Sequence, residues 1–192
     1  MNPPTRPAAG PDASECWISV DVETAGPNPS DHPLLSIGAC RYDDPSTGFT
    51  IELKPDRPGF DPEALAVSGL DLAELAGRGV AAPEAMAAFE DWVRAASGDR
   101  TPVFIGFNAG FDWMFVCDYF HRYLGRNPFG HAALDIKAVA MGHLGIPWRE
   151  TSFSRLSARL GGIPALTHDA LQDARDQAGL LRAVLQVHNV VP

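Results

Sequence analysis

Cys16-Trp17-Ile18-Ser19-Val20-Asp21-Val22-Glu23 is a short, mostly apolar run with two carboxylates at its far end. The run is followed by Thr24-Ala25-Gly26-Pro27-Asn28-Pro29-Ser30-Asp31-His32-Pro33, a stretch rich in turn formers. That combination reads as a buried strand over residues 16–22 leading into a loop. Side chains alternate along a strand, so Asp21 and Glu23 point to one face and can address one point beyond its end. A D-x-E pair alone is a weak signal and also fits a solvated strand end. On an otherwise apolar, central strand, however, two adjacent carboxylates are costly unless a cation sits with them.

Outward from this strand, residues 34–42 and 49–53 read as two more, joined by the turn Asp43-Asp44-Pro45-Ser46-Thr47-Gly48. Three neighbouring strands with short links predict an antiparallel meander. A helical region is predicted over residues 62–97, with Met86, Phe89, Val93 and Ala96 at helical spacing and Gly98 as its stop. Residues 101–107 are another apolar strand, and residues 111–124 a helix ending at Gly125. A last short strand over 132–135 precedes a helix reaching Leu144, and residues 154–160 form a short helix stopped by Gly161-Gly162. In the final helix Leu171, Ala174, Ala178, Leu181 and Leu185 make one apolar stripe. Strands first, then alternating helices and strands, describe a single α/β layer domain.

A chain of 192 residues with 45% hydrophobic and 20% charged residues fits one globular domain. Residues 1–15 have no apolar centre and read as a disordered lead-in, leaving 16–192 as the folded domain. Cys16, Cys40 and Cys117 are far apart, with no zinc-like spacing, and each lies in an apolar stretch that suits core packing. No stretch of about 18 apolar residues occurs, and the setting that fits is a reducing, cytoplasmic one. The formal net charge of -9 argues against an electrostatically driven binder of long nucleic acid. The charge is uneven: residues 1–100 carry a net -10 and residues 101–192 a net +1.

Further polar residues sit at element ends. Asn108 and Asp112 lie in N-A-G-F-D directly after the 101–107 strand, with Asp112 in the first turn of the next helix. The helix dipole favours a carboxylate there, so a purely structural Asp is an equal alternative. Phe111 and Phe115 suit the core, although Phe111 borders the carboxylates. His168 and Asp173 lie in H-D-A-L-Q-D at the start of the last helix, where the dipole favours a neutral histidine. Asp173 precedes Ala174 of the apolar stripe, and a charge beside a packed face usually has a partner. Taken together, four carboxylates and a histidine at one strand end and two helix starts suit hard divalent cations such as Mg²⁺ or Mn²⁺.

Asp21-Val22-Glu23-Thr24-Ala25-Gly26, Asn108-Ala109-Gly110-Phe111-Asp112 and His168-Asp169-Ala170-Leu171-Gln172-Asp173-Ala174 are, in this order, similar to the three motifs of the DEDD superfamily of 3′–5′ exonucleases. The likeness runs over residues 17–188. A histidine five positions before the last aspartate matches the DEDDh subgroup, and the wording of the motifs resembles ribonuclease T and the proofreading subunit of bacterial DNA polymerase III. Asp135, in A-L-D-I, resembles a structural aspartate that the subgroup often carries. Two departures are Ser68, where the family often has histidine, and the proline-rich loop over 27–33. The resemblance implies a ribonuclease-H-like fold: a mixed sheet of about five strands, the first three antiparallel, with helices on both faces.

It also implies two-metal hydrolysis of single-stranded DNA or RNA from a 3′ end, releasing nucleoside 5′-monophosphates. Asp21 would bridge two ions, Glu23 and Asp173 would complete the attacking-water site, and Asp112 would serve the leaving-group site. His168 would be the general base. Thr24, Gly26, Asn108 and Phe111 would bind the terminal nucleotide. Arg122, Arg126, Arg149, Arg155 and Arg159 lie in the less acidic half, and Trp148 beside Arg149 is a candidate edge contact for a strand. Two bound divalent ions would bring the total charge to about -5, which permits capture of one 3′ end rather than wrapping of a duplex. A homodimer or a polymerase-bound subunit is compatible with the resemblance. So are a non-catalytic module that binds a nucleic-acid end or a polymerase, and a phosphodiesterase acting on very short oligonucleotides.

Overall fold

The strand bearing Asp21 and Glu23 is the centre of the molecule. In the computed structural model, which describes residues 10–161 and 167–187, it runs as β1 over Glu15–Thr24. It pairs antiparallel with β2 (Leu34–Arg41), and β2 pairs antiparallel with β3 (Gly48–Glu52). On its other side β1 pairs parallel with β4 (Thr101–Gly106), which pairs parallel with β5 (Ala133–Asp135). The sheet order is β3-β2-β1-β4-β5, the predicted mixed sheet of five strands with an antiparallel meander on one side. The strand is longer than predicted, so Glu23 as well as Asp21 lies within its paired ladder.

The predicted helical region over 62–97 is three helices: α1 (Pro62–Ser68), α2 (Leu72–Arg78) and α3 (Ala82–Ser97). Local chemistry explains the breaks. Gly69 takes a left-handed φ of 67° to close α1, and Asp71 caps α2 by accepting the Ala73 and Glu74 N–H groups. Then come α4 (Gly110–Leu124), α5 (Ile136–Leu144), a 3-10 turn over Trp148–Glu150, α6 (Phe153–Leu160) and α7 (Ala170–Gln186). The expected stop of α6 at Gly161 is observed with φ 103°, whereas Gly162 lies outside the described residues. So does most of the expected lead-in, residues 1–9; its last residue, Glu15, already belongs to β1.

Helices cover both faces. Ile18, Val20 and Val22 of β1 pack with Phe89 of α3 and with Phe115, Val116 and Phe120 of α4. The opposite face holds Ile105 of β4 against Ile136, Leu156, Leu181 and Val184 from α5, α6 and α7. Phe89 anchors the first layer, stacked on Phe49 at 5.2 Å and on Phe120 at 5.6 Å. Cys16 is buried in the first layer, Cys40 is buried with Ala174 and Ala178 of α7, and Cys117 is half-buried, consistent with packing roles. Among the described residues no helix is long and apolar enough to cross a membrane.

Candidate active site

Four segments far apart in sequence meet at the C-terminal end of β1. The first is β1 itself, where the ladder to β2 shifts register between Glu23 and Thr24. Such a bulge bends the strand and re-aims the side chains beside it. Asp21 lies opposite Gly38 in that ladder. A Cβ on Gly38 would sit 2.0 Å from the Ala170 carbonyl carbon, so only glycine lets the first turn of α7 rest on the sheet here. That approach brings the start of α7 next to β1.

Asp173, in the first turn of α7, is 2% exposed. Its carboxylate accepts the Thr167 N–H at 2.7 Å, the Thr167 hydroxyl at 3.0 Å and the His168 N–H at 2.9 Å. One turn further on, Gln177 is 1% exposed and bridges β1 and the residue that follows β4. Its Nε2 donates to Asp21 Oδ1 at 2.5 Å and its Oε1 accepts the Phe107 N–H at 2.9 Å. From the other face, Asp112 of α4 is 4% exposed and accepts the Val22 N–H at 3.1 Å. Asp112 therefore ties α4 to the strand between the two β1 carboxylates.

Burial and mutual repulsion raise the pKa values of Asp21, Glu23 and Asp112, making them weaker acids. Asp21 is pushed well above the ordinary carboxylate value by desolvation and then by Asp112, Glu23 and Asp173. Glu23 is pushed up to about 7 by burial and by the nearby Asp173 and Asp169. Asp112 is pushed up to about 8, chiefly by burial, with the Val22 N–H opposing the shift. Carboxylates this close cannot all ionise at neutral pH without a compensating cation.

The donor set fits a hard divalent ion. Ligand atoms of Glu23, His168 and Asp173 lie within 4.8 Å of one another, and the Asp21 carboxyl feels all three of the other acids. The geometry also groups His168 with Glu23 and Asp173: its Nδ1 lies 4.0 Å from Glu23 Oε1, with 47% of its side chain exposed. His168 sits just ahead of Asp169, the residue that caps α7, and takes a left-handed φ of 61°. Asn108 has the same φ of 61° where the chain turns from β4 into α4. Two non-glycine residues in this region flank the carboxylates, as strained backbone often does at a working site.

All five acid and histidine positions singled out from the sequence are thus brought together. The residues expected to contact the terminal nucleotide are more dispersed. Thr24 and Phe111 line a groove of about 300 Å³ beside Glu23, together with Val22, Glu63, Ala64 and Val67. Gly26 does not line it: it is buried, and its missing side chain makes room for the His32 ring, 2.3 Å from where a Cβ would lie. The Thr24 hydroxyl donates to the Gly26 carbonyl at 2.9 Å. Asn108 is exposed and outside the groove, with its carbonyl accepting the Phe111 N–H at 3.0 Å. Asp135 caps α5 through the Ala138 N–H and accepts the Ala109 N–H at 2.8 Å, fixing the Asn108–Asp112 segment.

Gln177, Thr167 and Gly38 were not singled out from the sequence. Gln177 lies four residues after Asp173, on the same helical face, and a glycine inside a predicted strand marks a close backbone approach. Both signals were present.

No protein-family model matches the chain. It is 46% identical over 171 residues to the 3′-5′ DNA exonuclease Cap18 of Escherichia coli, covering 88% of this chain and 91% of that protein. Ribonuclease T of Citrobacter koseri is 29% identical over 175 residues, covering 85% of this chain and 81% of the relative. Among solved structures, the nuclease domain of 3′hExo, a DEDDh family member bound to rAMP, superposes with a TM-score of 0.68 at 15% identity. That match covers 88% of this chain and 90% of the other. Escherichia coli exonuclease I in complex with a dT13 oligonucleotide gives 0.66 at 20% identity, covering 86% of this chain and 40% of that one. These two structural likenesses show a shared fold.

Proposed function

Because the chain belongs to the DEDDh family of 3′–5′ exonucleases, enzymes that hydrolyse nucleic acid, we propose that it removes single nucleotides from the 3′ end of single-stranded nucleic acid and releases nucleoside 5′-monophosphates. The globular domain over residues 16–192 carries the whole site in this reading. DNA is the first substrate to test, since the relative at 46% identity is named a DNA exonuclease. The observation that carries the proposal is the convergence of Asp21, Glu23, Asp112 and Asp173, with His168, on one strand end, at a charge density that calls for cations.

Asp21, Glu23, Asp112 and Asp173 hold two divalent cations, Mg²⁺ or Mn²⁺, in this proposal. When bound, such ions offset the negative charge on the attacking and departing oxygens of an in-line displacement. The protein's own groups do the rest. Asp112 is fixed by the Val22 N–H, Asp173 by Thr167 and the His168 N–H, and Asp21 by Gln177, so the carboxylates are oriented before substrate arrives. His168, half-exposed and 4.0 Å from Glu23, accepts the proton of the attacking water. Water oxygen bonds to phosphorus as the bond from phosphorus to the upstream 3′ oxygen breaks. That oxygen takes a proton from solvent and becomes the new 3′ hydroxyl. The departing nucleotide occupies the groove between Phe111 and α1, where Val22, Ala64 and Val67 give an apolar wall.

Digestion of labelled single-stranded DNA, RNA and dinucleotides with Mg²⁺, read by product length, tests the proposal. Stepwise shortening from the 3′ end supports it; no shortening of any of the three refutes it.

A further inference from the structure

A scissile phosphate separates a departing nucleotide from the strand that stays behind, so a 3′ exonuclease needs a second flank beside its catalytic group. Here the two flanks lie on opposite faces of the sheet. Val22 and Phe111, beside the groove, belong to the core on the α3–α4 face. Phe107 packs with the core on the α5–α7 face. The groove flank is lined by one charged residue besides Glu23, the acid Glu63, and by no Lys or Arg. That suits a single departing nucleotide and is poor for a strand with several phosphates.

The other flank has the opposite chemistry. It is joined to the carboxylates directly, because Gln177 bonds both Asp21 and the Phe107 N–H. Phe107 is held edge-on against Phe153, with ring centroids 5.3 Å apart. Lys137 Nζ then lies 5.8 Å from the Phe107 ring centre and 4.4 Å from that of Trp148. Trp148 stays 49% exposed even with Lys137 against it, and Arg149 beside it is exposed too. The acid that follows, Glu150, is paired with Arg155 and so does not neutralise Lys137. An aromatic face, a cation and a second aromatic, in sequence away from the carboxylates, are the elements with which single strands are held: stacking for bases and positive charge for phosphates.

We propose that Phe107, Lys137 and Trp148 form the track for the retained strand, with a base of the nucleotides just 5′ of the scissile bond stacked on Trp148 and a backbone phosphate paired with Lys137. The assignment rests on the 3′–5′ exonuclease reading and names where the uncut part of the substrate lies. Single-stranded nucleic acid is the occupant because the flank is continuous with the carboxylate group and opposite in charge to a phosphate chain.

The test is fluorescence anisotropy of 5′-fluorescein-dT8 in EDTA, run alongside Mg²⁺-dependent shortening of the same oligonucleotide by wild type. Trp148→Ala is expected to weaken binding about ten-fold, and Trp148→Phe to stay within about two-fold of wild type. Lys137→Ala is expected to lower the slope of log affinity against log salt by about 0.7, the value for one phosphate contact on a single strand. Unchanged binding in both Trp148→Ala and Lys137→Ala overturns the track, and the exonuclease reading stands if wild type still shortens dT8. Equal losses in Trp148→Ala and Trp148→Phe overturn the stacking assignment. Losses as expected, with no shortening of dT8 by wild type, support the track and overturn single-stranded DNA as the substrate of the hydrolytic reading instead.

Discussion

Asp21 and Gly38 face each other across the β1–β2 ladder, and both address the face on which α7 lies. Directly opposed residues of an antiparallel pair project to the same side of a sheet. The empty position at Gly38 is filled by the backbone of Ala170, while Asp21 reaches Gln177 on the same helix. One side-chain deletion on β2 thus sets how close α7 comes to the strand that carries the acids. Asp173 and His168 arrive at the site as a consequence.

Gly38→Ala should therefore displace α7. The added Cβ meets backbone atoms at 2.0 to 2.2 Å, which no rotamer change can relieve. A cost of about 1–3 kcal/mol or more follows, lowering the melting temperature by roughly 2–4 °C per kcal/mol, with activity lost beyond the stability effect. Gly179→Ala, also in α7, meets nothing within 4 Å and is the control. It should be neutral or slightly stabilising. Equal melting temperatures for Gly38→Ala and wild type would refute the account of α7 docking.

Gln177→Leu removes a side chain that holds Asp21 and Phe107 together without being an acid itself. Groups that orient metal ligands typically matter by about 10–100-fold in affinity or activity. The expected result is a drop of that size, with more Mg²⁺ needed for half-maximal rate. Wild-type kinetics in Gln177→Leu would show that the bridge is only packing.

Stability without metal should depend on pH in a definite direction. Glu23 and Asp112 have folded values of about 7 and about 8, above the roughly 4 of an unfolded carboxylate. A raised carboxylate contributes stability that is complete below the unfolded value and lost as pH rises through the folded one. In EDTA the protein should melt lower at pH 8.5 than at pH 5.5, and divalent ions should narrow the gap. Asp112→Asn should flatten the pH dependence in EDTA, even though it removes a proposed metal ligand. A melting temperature in EDTA that rises from pH 5.5 to 8.5 would contradict the electrostatics of the site.

The His168 side chain is half-exposed, and the His168 N–H that holds Asp173 belongs to the backbone, so His168→Ala should keep the wild-type melting curve. A general base contributes about 10²–10⁴ in rate, and a loss in that range is expected in kcat. Retained kcat would assign the proton transfer elsewhere.

The acids were legible in the sequence because each sits where periodicity fixes its direction. Asp21 and Glu23 share a face by strand alternation, and Asp112 and Asp173 open helices. The antiparallel meander of β1, β2 and β3 was equally legible, from the short links between residues 24–34 and 41–48, whereas the places of β4 and β5 beside β1 were not. Contacts between remote segments were not. Asp112 bonds the Val22 N–H across 90 residues, and Gln177 bonds Asp21 across 156. Periodicity gives a helix face and cannot say what the face touches. Gly26 shows the limit of motif reading: glycine is needed there for the His32 ring. The helical region over 62–97 was resolved only in the structure, although Gly69, Asp71 and Gly79 already marked its breaks.

The most direct measurement is time-resolved digestion of a 5′-labelled single-stranded DNA oligonucleotide by wild type and Asp21→Asn, with Mg²⁺ or EDTA. The account predicts a ladder shortening one nucleotide at a time from the 3′ end, with nucleoside 5′-monophosphates released. EDTA should stop it, and Asp21→Asn should lower its rate by about three orders of magnitude or more, the scale of losing several kcal/mol of charge stabilisation. Undiminished digestion in EDTA or in Asp21→Asn, or internal cuts in place of a ladder, would contradict it.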